Sequence, residues 1–269
     1  MHVYDHCPFC QRVELVLARY EIPYERVVYH YGQGAPVKHM GYDPVGGPIK
    51  LMGTKILPVL EILTPATATS TFMGESLEIV AYLQSKHDLS LPLVSAPFWL
   101  SEWHKRFAPV KSALVRPRVT SLSHLVDWSD PRDVVYAQAK YHRLGFDYEE
   151  AERNSRESKD EMNDLLLELA GLFKGVPKDW KLGGGGGEAA TAAQGDKAGG
   201  EAAKGQGVSP ISIMPYGFSG DDICLLPDLR SVTCVKGIVW PEKVRAYVEY
   251  HFRKCNKNGV ELYDKYAID

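Results

Sequence analysis

A proline stands between two cysteines where this chain first changes periodicity. His2-Val3-Tyr4 is a short β-rich run and Asp5-His6 a turn. Cys7-Pro8-Phe9-Cys10 then opens a segment in which Val13, Val16, Leu17 and Tyr20 recur at i, i+3, i+4 and i+7. Proline is tolerated best in the first helical turn, where its missing N–H has no intrahelical partner. The spacing therefore predicts a strand, a tight turn and an amphipathic helix, with Cys7 at the helix start and Cys10 one turn in. Unpaired N–H groups and the macrodipole at that end favour an anion, so they favour a thiolate. A second thiol one turn away can displace whatever the first has bonded. Cys7, at the exposed end, is the expected nucleophile, with its pKa below the free-cysteine value of ~8.5, and Cys10, more buried, the resolving thiol.

Other uses of two cysteines three residues apart fit less well. A zinc site needs two further ligands at matching spacing, and Cys224, Cys234 and Cys255 are far apart with no second Cys-x-x-Cys pair. His2 and His6 would both have to aim at one point from a strand and a turn. Haem attachment needs His after the second cysteine, and residue 11 is Gln. A structural disulfide at this spacing would be strained and reducible. Thiol–disulfide chemistry with no metal is the expectation.

A length of 269 residues suits one large or two ordinary domains. The net charge of −3, with no concentrated basic stripe, argues against nucleic acid as a partner. No stretch approaches the ~18 apolar residues of a membrane span, and the opening residues do not read as a secretory signal. An odd number of cysteines without regular spacing fits a reducing compartment, so a cytoplasmic location is expected.

After Ile22-Pro23 stops the first helix, Tyr24 to Tyr29 reads as a second strand, parallel to the first through a right-handed crossover. His30 to Gly53 is Gly/Pro/His-rich and reads as loop with at most one short helix. Lys55 to Leu63 reads as a third strand, with Pro58 at a position that suits a cis bond in a tight turn. Gly74-Glu75-Ser76 precedes Leu77, Ile79, Val80 and Leu83, a helix whose N-terminal end can bind a carboxylate. Glu75 and Ser76 could equally do no more than cap that helix.

Tyr4-Asp5-His6-Cys7-Pro8-Phe9-Cys10, Leu57-Pro58-Val59-Leu60 and Glu75-Ser76 resemble the thioredoxin-fold half of the glutaredoxins. More narrowly, they resemble the glutaredoxin 2 family, which pairs that half with an all-helical domain of glutathione-transferase type. Phe218-Ser219-Gly220-Asp221-Asp222-Ile223 and Ile238-Val239-Trp240-Pro241-Glu242-Lys243-Val244 are similar to segments of that family's C-terminal domain, while residues 96–180 match loosely. The fold class implied is an α/β thioredoxin-like domain over residues 1–91 followed by an all-α domain over 97–269.

The C-terminal half reads as helical on its own terms. Ser95 can cap a helix with Pro97 in its first turn, running to about Val115. Pro131 opens a second segment with Val134, Val135 and Ala139 on its periodic stripe, ending near Gly145. Met162, Leu165, Leu166, Leu169 and Phe173 share one face of a third. Ser219-x-x-Asp222 is a capping-box pattern, and Trp240-Pro241 opens the last long helix, with Val244, Tyr247, Val248 and His251 at helical spacing. Gly183 to Gly207, almost wholly Gly, Ala, Glu, Lys and Gln, reads as a disordered insert.

The resemblance implies a glutathione-dependent thiol–disulfide oxidoreductase, with glutathione as co-substrate and glutathionylated or disulfide-bonded proteins as partners. It also implies that the Leu57 backbone, beside cis Pro58, pairs with the cysteinyl part of glutathione. Glu75 and Ser76 would hold the γ-glutamyl end. Lys55 and Phe9 are further candidates for glutathione contact, and Tyr4 and Phe9 for flanking the sulfur. His6 is placed to tune the Cys7 thiolate or to stand solvated in its turn. A monomer is expected over a dimer. Cys224 and Cys234 read as buried and inert, while Cys255 lies among positive charges that could activate it. Two alternatives differ in class: a glutathione transferase or dehydroascorbate-reductase-like enzyme acting on small molecules, which could dispense with Cys10, and a non-catalytic interaction module.

Overall fold

A computed structural model describes residues 1–35, 41–64, 66–93, 96–173 and 212–269. β1 (His2–Val3) pairs in parallel with β2 (Val27–Val28), His2 opposite Val27 and Val3 opposite Val28. Parallel neighbours need a crossover, and α1 (Pro8–Arg19) supplies it. After the single turn α2 (Ile49–Met52), β3 (Leu60–Thr64) and β4 (Thr69–Met73) form an antiparallel hairpin with Leu60 opposite Met73. His2 and Val59 exchange backbone hydrogen bonds of 2.8 and 3.1 Å, which joins the hairpin to β1 in the order β2-β1-β3-β4. α3 (Ser76–His87) packs beside α1.

The expected strands are shorter here. Only Val27 and Val28 pair within the run from Tyr24, and the third strand starts at Leu60 rather than Lys55. Lys55 to Pro58 instead bends along a cavity wall. β4 was not among the expected elements, because Thr69 to Met73 carries no alternating apolar pattern on an exposed hairpin. Leu77, expected on the packed stripe of α3, is 45% exposed, while Ile79, Val80 and Leu83 are buried.

The helical half comprises α4 (Phe98–Val119), α5 (Pro131–Arg143), α6 (Tyr148–Arg153), α7 (Ser155–Leu172), α8 (Gly220–Val232) and α9 (Glu242–Cys255). α4 outruns the expected end at Val115: Pro117 reads as a stop, yet the helix continues through it with Leu114 and Val119 in the core. Its N-cap is Pro97, so Pro97 lies outside the first turn; Ser95, the expected cap, falls outside the described residues, as does the insert 183–207. α5 is rotated from its predicted stripe. Val135 and Ala139 face solvent, and the buried face is Asp133, Tyr136 and Ala137. A polar anchor sets that rotation, because Asp133 accepts hydrogen bonds from Gly32 N at 2.6 Å and Tyr42 Oη at 2.7 Å in the other half.

α7 buries Met162, Leu165, Leu166 and Leu169, with Phe173 just beyond its end, and α9 buries Val244, Tyr247, Val248 and His251, as the periodicity predicts. At the start of α8 the capping box is formed: Ser219 N donates to Asp222 Oδ2 at 2.8 Å. Asp222 also accepts from Ser212 Oγ, Ile213 N and Tyr247 Oη at 2.8–3.0 Å, which ties α8 to α9 and to the segment before it. α1 packs against both α8 and α9, so one apolar core runs through the two halves.

Candidate active site

Cys7 occupies the N-cap of α1 in an extended conformation (φ −69°, ψ 118°), so the helix N–H groups behind it converge on its sulfur. The backbone N–H groups of Phe9 and Cys10 both favour its anion. Cys7 is only 8% exposed, less open than the sequence suggested, and Cys10 is fully buried beneath it. The reason is that the helical half covers the end of α1. What remains open of Cys7 lines a cavity of about 540 Å³ between the two halves.

The thiol of Cys7 is pulled below the ordinary cysteine range, to about 7, first by a hydrogen bond from the Cys10 thiol, against the opposing effect of burial, and then by the positive charge of His6. Burial and the neighbouring Cys7 push Cys10 well up. The pair is thus split into a thiol that ionises near neutrality and a protonated partner that donates to it.

The turn before Cys7 is clamped from the helical half. Asp127, wholly buried in the 3-10 turn Val126–Trp128, accepts from Asp5 N at 2.9 Å, from His6 N at 2.6 Å and from His6 Nδ1 at 2.6 Å. The Trp128 ring lies tilted at 45° against the His6 ring, with centroids 4.5 Å apart. From the other side Arg26 reaches Asp5 Oδ1 at 2.7 Å and Arg230 reaches Asp5 O at 3.2 Å. His2 is engaged elsewhere, with Tyr29 and Glu61, so the two histidines do not share a focus. Among the described residues no group of three His, Cys, Asp or Glu is arranged to hold a metal ion, and no helix is long and apolar enough to cross a membrane.

The cavity brings together most of the residues picked out by sequence. Phe9, Lys55, Leu57, Pro58, Glu75 and Ser76 line it beside Cys7, while Cys10 lies behind Cys7 and does not. The Leu57–Pro58 peptide is cis. Glu75 holds the N-cap of α3 at φ 62°, ψ 112°, and its side chain makes no capping bond to that helix. Its side chain lines the cavity and does not cap α3. Phe9 is half exposed at the rim, with the Arg12 guanidinium 4.6 Å from its ring. Tyr4 is buried and accepts from Lys55 Nζ at 2.6 Å.

Lys55 is the most altered cation. Its ammonium lies 4.9, 5.0 and 5.4 Å from the rings of Tyr4, Tyr31 and Tyr136 and also donates to the Tyr31 carbonyl. Burial, and then the nearby Lys140, lower its pKa to about 7. Of the other cysteines, Cys224 is only half-buried, not buried as expected. Cys255 is 1% exposed and, like Cys234, pushed up to about 12 by burial. Burial outweighs the flanking charges that marked Cys255 as a reactive candidate.

Sequence reasoning missed Asp127, Tyr31, Arg116 and Lys140. Asp127 had a signal: a carboxylate inside the apolar run Leu125-Val126-Asp127-Trp128 is expected to be buried and paired. Arg116 and Lys140 had none, because only the tertiary fold brings α4 and α5 to the cavity that Cys7 lines.

A thioredoxin-type half that opens on a dithiol, followed by a transferase-type helical half, defines a class of thiol enzymes built on the glutathione-transferase fold. Residues 6–86 match the family model "Glutathione S-transferase, N-terminal domain", and residues 211–267 match "Glutaredoxin 2, C terminal domain". Glutaredoxin 2 of Escherichia coli is 25% identical over 272 residues, covering 100% of this chain and 99% of the relative. The solved structure of glutaredoxin 2 from Salmonella typhimurium in complex with glutathione superposes with a TM-score of 0.73 at 22% identity, over 99% of this chain and 97% of that one. The chain is thus similar to glutaredoxin 2 over its whole length.

Proposed function

We infer that the protein is a glutathione-dependent thiol–disulfide oxidoreductase acting through Cys7 and Cys10. The observation that carries this reading is the split pair: an N-cap cysteine with its thiol lowered to about 7 by a hydrogen bond from a buried second cysteine. A conjugating transferase or an interaction module has no use for that second thiol. The glutaredoxin 2 relatives, one of them solved with glutathione bound, support glutathione as co-substrate.

The Cys7 thiolate attacks the glutathione-side sulfur of a mixed disulfide R–S–S–G. The old S–S bond breaks, R–S⁻ leaves, and a Cys7–S–S–G bond forms. A second glutathione thiolate then attacks the glutathione sulfur of that bond, which releases glutathione disulfide and restores the Cys7 thiolate. With a protein disulfide, Cys7 attacks one substrate sulfur, the substrate S–S bond breaks and the other sulfur leaves as a thiolate. Cys10, losing its proton, then attacks the Cys7 sulfur and releases the first substrate sulfur as a thiolate, leaving a Cys7–Cys10 disulfide. Two glutathiones then reduce that disulfide. In this reading the Leu57 backbone pairs with the cysteinyl unit. Glu75 takes the γ-glutamyl ammonium, and the first N–H groups of α3 at Ser76 take its carboxylate. Lys55 and Phe9 complete the glutathione side. Glutathionylated and disulfide-bonded proteins are the partners, nucleic acid is not, and the protein works as a monomer in the cytoplasm. The division into units 1–91 and 97–269 belongs to the same reading.

The test is glutathione-dependent reduction of a small mixed disulfide by wild type, Cys7→Ser and Cys10→Ser. Cys7→Ser is expected to abolish turnover and Cys10→Ser to retain part of it while losing protein-disulfide reduction. A Cys7→Ser variant that still turns over would overturn the assignment of nucleophile.

A further inference from the structure

The cavity wall opposite the proposed glutathione side is built by α4, α5 and α8, and its charges do not cancel. Lys111 is neutralised by Asp228 at 2.6 Å, and Asp228 also meets His104 at 2.7 Å. Arg116 and Lys140 line the same cavity, and neither has a carboxylate within ion-pair distance among the described residues. The Arg116 guanidinium lies 4.7 Å from the Tyr141 ring and 4.8 Å from the Phe146 ring, cation–π contacts that occupy none of its N–H donors with a carboxylate. Lys140 donates to Tyr31 Oη at 2.8 Å and is close enough to Cys7 to feel the charge of its thiolate. Two half-buried cations without counter-ions therefore face the space into which R–S⁻ departs.

Resting on the oxidoreductase reading above, we propose that Arg116 and Lys140 form a subsite for the outgoing thiol. The subsite selects glutathionylated protein segments in which acidic residues flank the modified cysteine. Carboxylates on that segment meet the Arg116 fork and the Lys140 ammonium, and the same positive field stabilises R–S⁻ as the S–S bond breaks. At the spacings of a half-buried wall, one favourable or unfavourable charge pair is worth about 1–2 kcal/mol, so acidic and basic flanks differ by roughly tenfold or more in kcat/KM. Salt screens the difference.

The experiment compares three glutathionylated peptides that differ only in Glu, Gln or Lys beside the cysteine, at low and high salt. Mixed disulfides of glutathione with mercaptosuccinate and with mercaptoethanol run alongside. The expected order is Glu above Gln above Lys, with a spread that shrinks in salt and collapses in the Arg116→Gln/Lys140→Gln variant. The acidic-to-basic ratio is taken within each protein, so a general loss of activity or folding cancels. Equal turnover of the three peptides overturns the proposal and leaves the oxidoreductase reading standing, whereas no turnover of any disulfide overturns both. A preference confined to the small mixed disulfides overturns the assignment to a protein segment. A double variant that raises KM for glutathione with the peptide ratio unchanged would return these cations to glutathione itself.

Discussion

Asp222 and Asp127 are both completely removed from water, and each gathers several donors, yet they serve different ends of the molecule. Asp222 works within the helical half, where its four partners come from the start of α8, the segment before it and α9. Asp127 works across the two halves, and the three hydrogen bonds to its carboxylate come from the two residues before Cys7. The comparison teaches that a buried carboxylate is a clamp, and that what it clamps decides whether its loss is felt in folding or in chemistry.

The strongest way to break the comparison is Asp222→Ala. It strands buried donors on Ser219, Ile213, Ser212 and Tyr247, and urea unfolding should show a loss of about 3–5 kcal/mol. A loss under about 1 kcal/mol would mean that water replaces the carboxylate and that the box is not the anchor argued for here.

Asp127→Asn should divide its effect differently. One amide oxygen cannot serve three donors, so stability falls by about 1–3 kcal/mol. The His6 ring, whose positive charge helps hold the Cys7 thiol near 7, loses its anchor. The Cys7 titration, followed by thiolate absorbance, should move upward, and turnover near neutrality should fall several-fold. An unchanged titration with the same stability loss would reduce Asp127 to scaffolding.

A third effect is read as a pH dependence and concerns Lys55, whose ammonium meets rings of both halves. Lys55 titrates at about 7 in the folded protein and near 10.4 in an unfolded chain. Between those values the unfolded state holds more protons, so stability rises with pH through that window, by at most about 1.4 kcal/mol per unit before solvent screening. The penalty for burying the charge is present in full below the folded value. Lys55→Met should flatten the stability profile from pH 7 to about 10 and raise stability on its acid side, as read by thermal unfolding across pH.

The same contrast explains what could be read from the sequence. Ser219 and Asp222 lie three residues apart, and so do Cys7 and Cys10, so a local pattern carries both. Asp127 finds its partners 121 and 122 residues away, and no local spacing encodes that. The rotation of α5 was misread for the same reason. Apolar periodicity pointed to Val135 and Ala139, while the hydrogen bonds of Asp133 to Gly32 and Tyr42, 101 and 91 residues distant, turned the helix. Lys55, Glu75 and Ser76 were legible through resemblance. The ring cage of Lys55 and the cations of the opposite wall were not, since they exist only once α4 and α5 border the cavity.

Glu75 carries one more consequence. A side chain held at φ 62° costs on the order of 1–3 kcal/mol that glycine would avoid, and no capping bond of its own repays it. On the glutathione-binding role proposed for it, the carboxylate is cocked before the ligand arrives, with its conformational penalty already met in folding instead of at each encounter. Glycine at this position would give a sturdier protein with a slacker grip, so at residue 75 the molecule has exchanged robustness for readiness.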